Sequence, residues 1–93
     1  MKMVNAMHVN SSDNCVTLTD HAVGGDMVSF LEGDSETTVI ARGRIPAWHK
    51  MAIKSVKKGG DIYKYGSVIG AAVDNIEAGD HVHIHNLRSC VIG

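Results

Sequence analysis

The chain has 93 residues, 44% of them hydrophobic and 20% charged, with a formal net charge of −1. It reads as one domain, residues 1–93, whose core must be aliphatic, because one Phe, one Trp and two Tyr leave Val, Ile, Leu, Met and Ala to fill it. Interspersed acids and bases exclude a basic stripe for nucleic acid, and no apolar run reaches the roughly 20 residues of a membrane span.

Asn5, His8 and Asn10 interrupt any signal-like hydrophobic region near the start. Cys15 and Cys90 fit neither a disulfide framework nor a C-x-x-C zinc site. The expectation is a cytoplasmic protein whose two thiols are reduced and serve as small hydrophobes.

In chain order, Met1 to Val9 alternates loosely and predicts a first strand. Asn10-Ser11-Ser12-Asp13-Asn14 is a cluster of turn formers, and Cys15 to Leu18 predicts a second strand, so the pair reads as a hairpin with a loop of about five residues. Thr19 to Asp26 turns into a strand that starts near Met27. Glu32-Gly33-Asp34-Ser35 turns again, and Thr37 to Ala41 is rich in β-branched residues that suit a pleated surface. Pro46, in Ile45-Pro-Ala-Trp-His-Lys50, can open a single helical turn, but no helical period continues beyond it. A strand then runs to Lys64, Tyr65-Gly66 turns, Val68 to Ala72 returns, and Asn75 to Asp80 leads into a final strand. Leu87 to Gly93 is a tail free to pack or to meet another chain.

One pattern occurs three times: an apolar residue, two or three residues, Gly, then Asp and a strand. The copies begin at Ala22, Val56 and Ile76. In each, Gly can supply the positive φ of a tight turn. Short strands, Gly-rich turns and the absence of sustained helical periodicity predict an all-β domain.

The final strand carries the chemistry. In His81-Val82-His83-Ile84-His85-Asn86, strand alternation puts Val82 and Ile84 on one face and three imidazoles on the other. Neutral imidazole is the commonest protein metal ligand and also titrates near neutrality. Same-face strand residues lie roughly 6.5–7 Å apart, so one ion cannot easily take all three. Two of them could bind an ion with a ligand from another polypeptide, or one could act as general acid or base. His83 and His85 are the candidate pair, with His81 as a further candidate.

The segments Ile45-Pro-Ala-Trp-His-Lys50, Ile62-Tyr-Lys-Tyr-Gly66, Val68-Ile-Gly70 and Ala78-Gly-Asp-His-Val-His-Ile-His-Asn86 resemble, in order and spacing, the SAF-type domain of the altronate and galactarate dehydratase family. That domain is either the N-terminal module of a long enzyme or a separate small subunit, as in (2R)-sulfolactate sulfo-lyase. The family usually has Gly before the His-Lys pair, where this chain has Trp48. The resemblance implies a β-clip fold, shared with type III antifreeze proteins and the C-terminal domain of sialic acid synthases. It also implies that this polypeptide ends where a large catalytic subunit would begin.

The activity so implied is dehydration of a sugar acid such as altronate or galactarate to a 2-keto-3-deoxy acid, this chain completing an active site built largely by the large subunit. Fe²⁺ or another divalent metal is implied by the resemblance alone. His49, Lys50, His83 and His85 are the catalytic candidates, and Lys50, Lys64 and Asn86 the substrate-binding ones. Folding alone also explains Lys64-Tyr65-Gly66, turn chemistry explains Asp13-Asn14, and a solvated face explains Arg42 and Arg44. The alternatives are the small subunit of a (2R)-sulfolactate sulfo-lyase and a non-catalytic SAF binding or assembly module. An exposed strand edge would make the isolated chain a homo-oligomer.

Overall fold

Residues 2–89 are described by the structure, a computed structural model, and they hold nine strands and no helix. Strands β1 (Met3–Met7), β2 (Cys15–Leu18), β3 (Met27–Glu32), β4 (Ser35–Ile40), β5 (Lys50–Ala52) and β8 (His81–Val82) form one sheet, ordered β4-β3-β1-β2-β5-β8. Strands β6 (Asp61–Lys64), β7 (Ser67–Ala72) and β9 (Leu87–Ser89) form the second, ordered β6-β7-β9. The all-β class expected from the sequence is the class found, and among the described residues no helix is long and apolar enough to cross a membrane. The expected hairpin forms, with Ala6 opposite Leu18, but β1 also pairs in parallel with β3, Met3 opposite Met27.

Alternation along β2 and β5 divides the interior in two. Val16, Leu18 and Met51 join a core with Val28, Phe30 and Ile45. Cys15 and Ala52, on the opposite faces of the same strands, join a second core with Ile62, Ile76 and Val82. Burial of each large aliphatic side chain contributes about 1.5–3 kcal/mol, so these two strands fasten both halves of the domain. Cys15 is fully buried and its Sγ donates to the Tyr63 carbonyl at 3.3 Å. Burial pushes its thiol up to about 11, consistent with an inert core residue. Cys90 and the rest of the tail lie outside the described residues, apart from Leu87 to Ser89, which form β9.

The turn made by the three Gly-Asp copies recurs a fourth time at Ile45, where the sequence carries neither Gly nor Asp. Ala22 bridges Ile45, and Val56 bridges Ile76. Three residues beyond each of these stands a positive φ: Gly25 at 94°, Trp48 at 67°, Gly59 at 86° and Gly79 at 97°. In each turn the next residue's N–H closes a backbone bond, Asp26 to Val23 at 3.0 Å, His49 to Pro46 at 3.2 Å, Gly60 to Lys57 at 2.7 Å and Asp80 to Glu77 at 3.0 Å. Pro46 therefore opens one of these turns and not a helical turn. In two copies an Asp carboxylate accepts the remaining N–H, Val23 to Asp26 at 2.9 Å and Glu77 to Asp80 at 2.8 Å. Pro46 has no N–H to satisfy, which frees the equivalent position for His49.

Candidate functional site

The turn that ends at His49 runs directly into β5, and β5 pairs with β8 so that Met51 faces His81 and Lys50 faces Val82. His49 thereby reaches His81, their Nδ1 and Nε2 atoms 2.9 Å apart. The strand expected from His81 to Asn86 stops at Val82. Beyond it the chain turns, with the Asn86 Oδ1 accepting from the His83 N–H at 3.0 Å and its Nδ2 donating to the His81 carbonyl at 2.7 Å. Strand alternation ends at this turn: Val82 is buried, whereas Ile84 is 82% exposed.

The turn curls the imidazoles together. The His81 and His83 rings stack at 5.5 Å with an 8° interplanar angle, and His49 lies 4.8 Å from His83 by ring centroids. One nitrogen from each of His49, His81 and His83 falls within 4.8 Å of the others, the single such donor set among the described residues. The 6.5–7 Å spacing of a straight strand thus does not apply. His85 lies against His81, centroids 5.2 Å apart, but outside that set. The His81 imidazole is pushed down to about 4, chiefly by burial and then by the neighbouring His49, His85 and His83 rings and Lys50. It is neutral at pH 7, the form that binds metal.

Imidazole nitrogens suit Fe, Zn, Cu or Ni, and three protein ligands with room for others is the pattern of catalytic rather than structural sites. The donor set therefore fits a divalent transition metal. Beside it opens a cleft of about 460 Å³ lined by His81, His85, Asn86, Asp80, Arg42 and Arg44. Arg42 Nη1 donates to Asp80 Oδ1 at 3.0 Å. The two arginines, two apart in sequence and both solvent-exposed, line this cleft beside the imidazoles. Nothing local in the sequence marks this, since the Gly79 turn is what brings Asp80 to Arg42.

The other candidates fall differently. Lys50 steps to the opposite face of β5 from the Met51–His81 pair, because successive strand residues alternate. It lines a separate cavity of about 410 Å³ with Thr17, Trp48, Lys64 and Tyr65. Lys64 is buried there, 4% exposed. Asn86 borders the histidine cleft, but its oxygen and its amide are both engaged in the turn. Asp13 and Asn14 do fold the chain: Asp13 Oδ1 and Oδ2 accept from Gly66 and Tyr65 N–H groups at 2.8 and 3.0 Å. Asn14 bridges the Asp61 carbonyl and the Tyr63 N–H at 2.9 and 2.8 Å.

Residues 4–90 match the family model described as the altronate/galactarate dehydratase SAF domain. The chain is 37% identical over 82 residues to altronate dehydratase of Escherichia coli (strain K12), covering 87% of this chain and 16% of that protein. It is 39% identical over 56 residues to (2R)-sulfolactate sulfo-lyase subunit alpha of Paracoccus pantotrophus, covering 60% of this chain and 84% of the relative. The same subunit of Chromohalobacter salexigens is 29% identical over 85 residues, 87% of this chain and 90% of the relative. The chain thus spans a small part of the altronate dehydratase and most of each sulfo-lyase alpha subunit.

Proposed function

The chain belongs to the altronate/galactarate dehydratase SAF-domain family, and from that premise we propose that it completes the active site of a hydro-lyase whose remaining residues come from a large catalytic polypeptide. The substrate is a sugar acid such as altronate or galactarate and the product a 2-keto-3-deoxy acid. The observation that carries this reading is the donor set of His49, His81 and His83 beside a cleft flanked by Arg42 and Arg44.

Elimination of water from such an acid removes the proton next to the carboxylate and expels a β-hydroxyl as water, leaving an enol that tautomerises to the ketone. Arg42 and Arg44 are suited to the carboxylate, because guanidinium groups match its two oxygens. In this reading His85, in the cleft but outside the donor set, takes the proton on a ring nitrogen. A divalent ion such as Fe²⁺ held by His49, His81 and His83 would supply positive charge to the developing enolate oxygen. The Asn86 turn keeps His81 and His83 stacked, and Pro46 and Trp48 aim His49 at them. The acid for the departing hydroxyl is assigned to the large polypeptide.

The test is reconstitution. The chain with its large partner and Fe²⁺ is expected to dehydrate altronate or galactarate, and the chain alone to give no turnover. His81→Ala in the pair should lower kcat by at least about a hundredfold, within the range of one acid–base or electrostatic group. Turnover by the isolated chain, or full activity of the His81→Ala pair, would contradict the proposal. A second reading is a subunit of a (2R)-sulfolactate sulfo-lyase, favoured by the 90% coverage of the Chromohalobacter alpha subunit. Sulfite release from 3-sulfolactate by the same pair, without dehydration of either sugar acid, would select it.

A further inference from the structure

The cavity on the other face of β5 carries features that the histidine cleft does not account for. At about 410 Å³ it has the size of a small-molecule pocket. Lys64 lines it, 4% exposed, and its Nζ finds no hydrogen-bond partner among the described residues. The face of the Tyr65 ring covers that ammonium, 3.8 Å from Nζ to the centroid. A buried ammonium without a hydrogen-bond acceptor is unfavourable, and a cation–π contact offsets that cost by only about 2 kcal/mol. Lys50 brings a second positive charge to the same cavity, and both charges are felt at the Cys15 thiol.

Two aromatic residues form the rim, each 65% exposed and each with a positive φ, 67° at Trp48 and 55° at Tyr65. A left-handed backbone costs a side-chain-bearing residue roughly 1–2 kcal/mol, and such residues gather at ligand clamps. The three sister turns carry Gly where Trp48 stands. Surrounding bonds hold both conformations: Trp48 N–H donates to the Leu18 carbonyl at 2.8 Å, and Tyr65 N–H to Asp13 at 3.0 Å. Exposed aromatic faces set at conformational cost around two ammonium groups, one lacking an acceptor, describe a receptor for an organic anion.

We propose that the cavity between Trp48 and Tyr65 binds a small organic carboxylate, its oxygens held by Lys50 and Lys64 and its carbon frame against the two rings. The Tyr65 ring moves off Lys64 Nζ as the carboxylate arrives. The aromatic walls favour a ligand with a carbon frame over an inorganic oxyanion. This site lies on the opposite face of β5 from the histidine cleft and does not depend on the dehydratase reading.

Trp48 is the sole tryptophan of the chain, so occupancy reads directly in its fluorescence. Tartrate titrated into the full metal-free chain, in chelator and at constant ionic strength, is expected to give a saturable emission change that chloride and sulfate do not give. Lys64→Met keeps the length of the side chain and removes the ammonium. It should weaken tartrate binding by at least about tenfold, the worth of one charge-assisted hydrogen bond. Lys50→Met should do the same and stands in if Lys64→Met does not fold, as judged by a cooperative thermal melt. Thr38→Ala, on the exposed side of β4 and in neither site, should bind tartrate as the parent chain does. A flat titration, an equal response to sulfate, or unchanged tartrate binding by the folded lysine variants would overturn the proposal. No metal, partner or turnover enters this measurement, so its failure would leave the dehydratase reading standing.

Discussion

Asp13→Ala is the substitution from which the fold has most to lose. The carboxylate is fully buried and accepts three backbone N–H groups, from Asn10 at 3.2 Å, Tyr65 at 3.0 Å and Gly66 at 2.8 Å. Two of those donors belong to the β6–β7 turn, so one side chain ties the loop before β2 to the second sheet. Alanine leaves all three N–H groups without that acceptor. Each unsatisfied buried donor costs about 1–3 kcal/mol. Water entering the space left behind recovers part of this, so a loss of about 3–5 kcal/mol is expected. In a domain of this size that lowers Tm by roughly 12 °C or more, a large share of a total stability of about 5–15 kcal/mol. Urea and thermal melts followed by circular dichroism and Trp48 emission measure it. Asp13→Asn separates the causes, since it keeps the volume but turns one acceptor into an NH₂ facing N–H donors, and it should lose nearly as much as alanine. A loss below about 1 kcal/mol for Asp13→Ala, or a neutral Asp13→Asn, would refute the claim that this carboxylate holds the two sheets together.

His81 ionises at about 4 in the fold against an ordinary 6.5, so the unfolded chain takes up that proton first. Stability from this group is complete above about pH 6.5 and drains as the pH falls toward 4. Because the ring is only half-buried and partly screened by solvent, the loss should be only about 1 kcal/mol, and His81→Ala should flatten that part of the curve. Gly79→Ala places a side chain at φ 97° and presses its Cβ onto the Ile40 carbonyl; a loss of about 2–4 kcal/mol in urea melts is expected. With Cys90→Ser as background, iodoacetamide should label Cys15 at least about a hundredfold faster in urea than in the native chain at pH 8, because burial holds the thiol at about 11. Co²⁺ or Fe²⁺ should raise the Tm of the parent chain, and His49→Ala should abolish that rise without changing the order of the strands.

Side chains that act on their own neighbours were legible. Cys15–Leu18 is a strand in both readings, Tyr65-Gly66 turns because it closes the β6–β7 hairpin, and three Gly turns announced themselves. What was hidden depends on distant pairing. The parallel partnership of β1 and β3 brings together residues 24 apart, Met3 and Met27, and no local signal marks it. The row of histidines invited a straight strand, yet Asn86 folds back on His81 and His83 and ends it after two residues. A straight strand hides the donor set that the fold brings together, which takes in His49 and leaves out His85.

Lys50 shows how one step of register decides a site. The sequence puts it next to His49, and the resemblance groups the two. Thr17 lies opposite Lys50, both on the face that looks toward the second sheet, whereas Met51 and its partner His81 look the other way. Adjacent residues in an extended chain are the pair least able to share a pocket, so His49 joins the imidazole set while Lys50 lines the cavity on the other face. The turn before it supports the same conclusion. Pro46 releases position 49 from capping, and Trp48 takes the left-handed place that glycine holds in the sister turns. If Trp48 were only filling that place, Trp48→Gly would relieve strain with no other effect. Separate roles for the two faces of β5 instead require that Trp48→Gly keep the His49–His81 contact, and metal binding with it, while weakening tartrate binding followed by calorimetry, since the sole tryptophan is then gone. Loss of both together would mean that the two faces of β5 work as one site.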